Sequence, residues 1–294
     1  MRFSKTWQKL AKRPATSHVE RQTGRWALGS LAVFGLLCLA GCSAARPLTV
    51  PLDTLRYTHS SAQRACCLVV FLPGRYDSAV QYEKAHFIDA VRQSGVAVDM
   101  MAVEAHYGYY TSRTIVARLR ADVIAPALAQ GYERIWLVGV SMGGLGALLY
   151  IRDYPRDITG VVALAPFLGE ADIVQEITQA GGLWQWDIPT VPRGAFPHEL
   201  WQWLKGYLQH HGEKPRLYLG YGRQDRFAPA NALLATYLPP TQVQAIAGGH
   251  AWSTWSTLWQ TLLTTAASPS SREFFLGIFD PPPRHTDGGE HKRS

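Results

Sequence analysis

The stretch Arg134-Ile135-Trp136-Leu137-Val138-Gly139-Val140-Ser141-Met142-Gly143-Gly144-Leu145-Gly146-Ala147 decides how the chain reads. It begins as a β-rich apolar run, passes through Gly-x-Ser-x-Gly, and ends in small residues that open a helix. A strand that turns abruptly into a helix lifts the intervening serine onto a sharp, strained turn and presents its hydroxyl above the sheet. The flanking backbone then passes so close to its neighbours that side chains are excluded, a role Gly139 and Gly143 fit. Ser141 is therefore the candidate nucleophile.

A serine hydroxyl is a poor nucleophile at neutral pH and needs a base within hydrogen-bond reach, itself oriented by a third group. Downstream, Asp225 stands in Gly220-Tyr221-Gly222-Arg223-Gln224-Asp225-Arg226-Phe227, and His250 in Gly248-Gly249-His250-Ala251-Trp252. Each follows an apolar run with strand character. Rival histidines fit less well: His86 and His106 precede the serine, His198, His210 and His211 precede the acid, and His285 and His291 lie in the C-terminal tail. Serine, acid and histidine in this order, on a strand–turn–helix serine, resemble the serine esterases of the α/β-hydrolase superfamily. The resemblance implies a Ser141-His250-Asp225 triad and two-step acyl transfer without cofactor or metal. It also implies an oxyanion hole with one N–H from Met142 and a second from the loop after the strand ending at Leu72. That loop is Pro73-Gly74-Arg75 instead of the His-Gly often found there. Proline has no N–H, so Arg75 is the chosen donor, with Gly74 or Tyr76 as alternatives.

The rest of the chain alternates in the way such a fold requires. Cys66 to Leu72 is a continuous apolar run with the length of a buried parallel strand. Residues 79–94 show helical periodicity, 96–103 read as a strand, and 104–110 as a loop. Residues 113–130 are a helix that Pro126 kinks or shortens. Strands at 134–140, 159–165, 215–221 and 241–247 complete a doubly wound, mainly parallel sheet, whose ligand site belongs at the carboxyl ends of its strands. The interval 166–214 is too long for a plain connection and holds Trp184, Trp186, Trp201 and Trp203. It reads either as a small helical cap or as a pair of crossover helices. The expected boundaries are 65–268 for the hydrolase domain and 42–64 for a tether running into irregular or edge-strand structure. Residues 269–294 form a Ser/Pro-rich, then charged tail, largely disordered.

Residues 1–41 read as a targeting segment. Seven basic residues precede the apolar run Trp26 to Ala40, which ends in Leu39-Ala40-Gly41-Cys42. That run is too short to span a bilayer and has the layout of a secretory signal. Leu-Ala-Gly-Cys resembles the bacterial lipoprotein box, which implies cleavage before Cys42 and lipid attachment there; an ordinary signal peptide or an uncleaved anchor is the alternative. Ser43, in place of Asp, directs the expectation to the outer membrane. With one acid, Glu20, the segment carries +6 of the formal +7. The remainder is near neutral, so the overall basicity is no sign of nucleic-acid binding. Beyond Cys38 and Cys42, only the adjacent Cys66 and Cys67 remain, read as two buried thiols because a disulfide between neighbours is strained. They form no zinc set.

Tyr107, Tyr109, Tyr110 and Trp184 are the candidates for lining an apolar acyl or aryl pocket, with rim packing as the alternative. The expected partner is a small or lipid-like ester. The same triad also serves thioesterases and acyltransferases, and a tethered binding protein on the same scaffold is the reading outside catalysis.

Overall fold

The computed structural model describes residues 46–59, 65–187, 196–210 and 214–265. The targeting segment, Cys42 and the tail 269–294 lie outside the described residues. Among the described residues, seven strands form one sheet in the order β1-β3-β2-β4-β5-β6-β7. They are β1 (Thr54–Tyr57), β2 (Cys67–Leu72), β3 (Asp99–Val103), β4 (Arg134–Val140), β5 (Gly160–Leu164), β6 (Arg216–Gly222) and β7 (Val243–Ile246). Only β1 runs antiparallel, on the edge against β3. Every residue of β2 is buried, as expected of a parallel strand covered on both faces.

The helices are α1 (Gln81–Lys84), α2 (Phe87–Gln93), α3 (Tyr107–Thr111), α4 (Ile115–Leu119), α5 (Ala125–Ala129), α6 (Met142–Asp153), α7 (Ala171–Gln179), α8 (Phe196–Gln209), α9 (Ala228–Ala235) and α10 (Trp252–Thr265). Strand order assigns their faces. The step from β2 to β3 moves one way across the sheet, and the steps from β3 through β4 and β5 to β6 and β7 move the other way. Right-handed crossovers therefore put α2 on one face and α4 to α9 on the opposite one. Helix α10 joins α2: the Trp259 ring stacks on Phe87 at 5.6 Å, and its indole N–H donates to the Phe87 carbonyl at 3.1 Å.

Several elements depart from the sequence reading. The helix expected over 79–94 is two helices, because His86 adopts φ 59° and breaks the chain between them. The helix expected over 113–130 begins at Ile115, after Arg113 at φ 57°. It absorbs Pro126 through a π turn at Arg120–Ile124, with the proline in the first turn of α5, where no N–H is required. The loop expected at 104–110 contains α3, whose N-terminus is capped by His106 Nδ1 accepting from the Gly108 N–H at 3.2 Å. Residues 46–59, read as part of a spacer, are hydrogen-bonded to the domain: the Leu52 N–H donates to Asp122 at 2.9 Å, and the Glu104 N–H to the Asp53 carbonyl at 2.8 Å.

In the 166–214 interval, α7 packs on α9, while α8 buries Leu200, Trp201 and Leu204. The Cys66 and Cys67 sulfurs stand 3.1 Å apart, too far for a bond. Cys66 is only half-buried, whereas burial, followed by the contact with Cys66, pushes the Cys67 thiol up to about 12.

Gly160 pairs with Trp136 across β4 and β5, and a Cβ there would collide with the indole ring. Gly160→Val should therefore cost about 1–3 kcal/mol. Urea unfolding checks it; an unchanged midpoint and slope would mean the indole moves aside freely.

Candidate active site

The carboxyl ends of β2, β4, β6 and β7 converge on Ser141. The serine is buried at the end of β4 with φ 52° and ψ −114°, a conformation rare for a residue with a side chain. Its surroundings over-determine it. The Ser141 N–H donates to the Leu164 carbonyl at 2.9 Å, and the Ser141 carbonyl accepts from the N–H groups of Leu145 and Phe167, both at 3.1 Å. A Cβ on Gly139 would strike the Gly143 carbonyl, and one on Gly143 would strike the Leu72 carbonyl. Both glycines are there because backbone fills the space.

His250 Nε2 lies 2.9 Å from Ser141 Oγ, and His250 Nδ1 lies 2.7 Å from Asp225 Oδ2. A carboxylate only accepts, so Nδ1 carries the proton and donates to it, which leaves Nε2 free to accept from the serine hydroxyl. Asp225 is buried, and its Oδ1 accepts from the Phe227 N–H at 2.8 Å. The imidazole is held edge-on by Trp255 at 4.9 Å and Phe227 at 5.1 Å. The three residues picked from the sequence, 84 and 25 positions apart along the chain, thus form one continuous relay.

Two bridges that the sequence does not signal fix the loops carrying the acid and the base. The Gly248 N–H donates to Gln224 Oε1 at 2.6 Å, and the Gln224 N–H donates to the Gly248 carbonyl at 3.0 Å. Trp252, two residues past the histidine, donates its indole N–H to Asp77 Oδ1 at 3.0 Å. Asp77 belongs to the turn that follows Arg75, and its own N–H donates to the Gly74 carbonyl. The backbone of Gly74 passes beside the serine: a Cβ built there would stand 3.7 Å from that of Ser141. Tyr82 holds the same region from below, its hydroxyl donating to the Leu72 carbonyl, and burial raises that hydroxyl well above the ordinary tyrosine value.

A groove of about 490 Å³ opens beside the elbow and includes Met142, Tyr107, Tyr110, Phe167 and Phe196 in its walls. The Arg75 guanidinium lies over the Tyr107 ring at 4.0 Å. Burial raises the Tyr110 hydroxyl, so the phenol stays neutral; Gly146 makes room for it. The other two pocket candidates are elsewhere. Tyr109 is buried with its hydroxyl donating to the Thr49 carbonyl at 2.8 Å, because in a helix residues two apart point to different sides. Trp184 is 41% exposed and packs edge-on against Tyr237 at 4.9 Å, away from the groove. Among the described residues no group of three His, Cys, Asp or Glu side chains could hold a metal ion.

Comparison with known proteins agrees with this architecture. A family model described as serine aminopeptidase, S33, matches residues 63–204, which includes the elbow and stops short of Asp225 and His250. An acetyl esterase of Caldicellulosiruptor saccharolyticus is 25% identical over 201 residues, 60% of this chain and 70% of that one. Among solved structures, Est1E of Butyrivibrio proteoclasticus has a TM-score of 0.55 at 16% identity, covering 77% of this chain and 94% of its own. S-formylglutathione hydrolase of Staphylococcus aureus has a TM-score of 0.51 at 12% identity, covering 74% and 96%. The chain has the α/β-hydrolase fold, and its sequence likenesses are to serine hydrolases and an esterase.

The elbow's tolerance can be tested on two glycines near the relay. Gly143→Ala should destabilise by at least ~2 kcal/mol, since backbone would have to move. Gly249→Ala, where the nearest atom would be 3.9 Å away, should stay within about 0.5 kcal/mol. Equal losses in urea melts would refute the close crossing.

Proposed function

We propose that this protein hydrolyses carboxylic esters through an acyl-enzyme formed on Ser141. The observation that carries the reading is the unbroken line Asp225–His250–Ser141, with contacts of 2.7 and 2.9 Å. Ser141 Oγ attacks the ester carbonyl carbon while its proton passes to His250 Nε2. Asp225 stabilises the imidazolium so formed. As the tetrahedral intermediate collapses, the carbon–oxygen bond to the alcohol breaks and His250 hands its proton to the leaving oxygen. Water, deprotonated by His250, then attacks the acyl carbon; the acid departs and the proton returns to Ser141.

The negative charge on the carbonyl oxygen is met by the N–H groups of Met142, at the positive end of α6, and of Arg75. Support for the second donor is the approach of the Gly74 backbone to Ser141. The acetyl esterase likeness supports esters as the substrate class. The Leu-Ala-Gly-Cys box supports export and lipid attachment at Cys42. The enzyme then works at a bacterial envelope, anchored to the outer membrane, on small or lipid-like esters.

Two measurements check these readings. A fluorophosphonate should label the wild-type chain and leave Ser141→Ala unlabelled, while His250→Ala and Asp225→Asn should lower ester turnover by at least ~100-fold. A folded wild-type chain that resists the probe would sink the catalytic reading. In a bacterial host fed an alkynyl fatty acid, the wild-type chain should carry the label and Cys42→Ala should not. Equal labelling, or none in either, would remove the lipoprotein assignment.

A further inference from the structure

We infer that the groove beside the elbow is the acyl-chain site and that its apolar length fits a chain of about eight carbons. The inference deepens the ester reading above and rests on it. The groove follows one face of α6. Met142, Leu145 and Leu149 line it at helical spacings of three and four, and Arg152 and Asp153 lie at its far end. Met142 is the residue next to the nucleophile, so the groove starts at the reacting carbonyl. Seven residues separate Met142 from Leu149, a rise of about 10 Å along the helix axis. A zigzag hydrocarbon with bonds of about 1.5 Å advances about 1.25 Å per carbon, so this stretch accommodates about eight carbons.

The opposite walls are mostly apolar, with Glu199, one turn past Phe196, and the exposed Arg113, two residues before Ile115, as their charged members. Ile115 and Val116 of α4 face the same groove, as do Phe167 and Phe196, whose rings stack at 6.1 Å. Past Leu149 the lining turns charged. Arg152 pairs with Asp153 at 2.7 Å, and both border the groove. A longer chain would bring methylenes against ions and water, where further length adds little affinity.

Which half of an ester lies here follows from the two faces of the sheet. His250 enters from the α10 face: Trp252, two residues on, packs against Tyr82 at 5.2 Å and Phe87 at 5.7 Å. The groove lies on the α6 face. Between them stands Phe227, edge-on to His250 at 5.1 Å and to Phe167 at 5.2 Å. His250 must protonate the leaving oxygen, so the alcohol departs on the histidine side. The acyl chain takes the other side, along α6.

Methyl octanoate and octyl acetate share a carbon count and differ in which half is long, so they separate the two arrangements. With the full chain, kcat/KM for methyl octanoate should exceed that for octyl acetate at least tenfold. In a series of methyl esters it should rise from acetate to octanoate and level off or fall by palmitate. Leu149→Trp, which fills the far end of the apolar stretch, should cut the octanoate-to-acetate ratio about tenfold; Val116→Phe, from the facing wall, should lower it in the same direction. A preference for octyl acetate, or an acyl preference that both variants leave intact, would overturn the assignment while leaving the ester reading standing. Absence of turnover on every ester in the panel would remove both.

Discussion

The close crossing of the Ser141 turn over the end of β2 is the contact on which the site depends. No side chain intervenes where Gly143 meets the Leu72 carbonyl, and the same is true between Gly139 and Gly143. Backbone touches backbone there, and the loop after Leu72 leaves the sheet past the serine. The strained φ of 52° at Ser141 persists because β5 supplies an acceptor at Leu164 and the following loop a donor at Phe167. Three strand ends are thereby registered against one another before any catalytic side chain is considered. A small displacement anywhere in that stack would move the hydroxyl relative to His250 Nε2, 2.9 Å away.

Asp225 and His250 are placed differently, since they arrive on loops after β6 and β7. Loops are the least constrained parts of a fold. Here the two are tied to each other through Gln224 and Gly248 before they are tied to the serine. The Asp77 carboxylate then joins the histidine loop, through Trp252, to the turn beyond Arg75. Gln224 adjoins Asp225 in the chain, and Gly248 and Trp252 each lie two residues from His250, but Asp77, the partner of Trp252, is 175 positions away.

That separation explains what was legible in the sequence. The elbow could be read because strain, small residues and an apolar strand occur in one local run. Asp225 and His250 could be read because their chemistry and chain order restrict the choice to few residues. The alternating strands and helices marked a parallel sheet, and the strand positions agree with the structure to within a few residues. The aromatic residues were harder. With 104–110 read as a loop, nothing distinguished Tyr107 from Tyr109. The helix at Tyr107–Thr111 separates them, turning Tyr107 and Tyr110 toward the groove and Tyr109 toward Thr49. Trp184 and Phe196 both lie in the 166–214 interval, and their composition alone does not say that one meets Tyr237 while the other stacks beside the elbow. The left-handed residues His86 and Arg113 broke two helices at positions where neither residue type signals a break.

The segment 46–59 adds a physical link between the start of the domain and the reacting centre. Arg46 pairs with Glu104 at 2.7 Å and donates to the Asp77 carbonyl at 3.2 Å, while the other Glu104 oxygen accepts from the Ala79 N–H at 2.9 Å. His106, which caps the helix bearing Tyr107, has its Nε2 3.2 Å from the Pro47 carbonyl. A carbonyl only accepts, so Nε2 carries the proton and Nδ1 is the capping acceptor. Residues read from composition as a spacer therefore brace the turn that holds Asp77 and the helix that supplies the Tyr107 wall. Exposed pairs such as Arg46–Glu104 contribute little to global stability. Their effect is on geometry: each contact fixes a loop whose backbone or side chain borders the elbow, so this segment works as part of the site's frame.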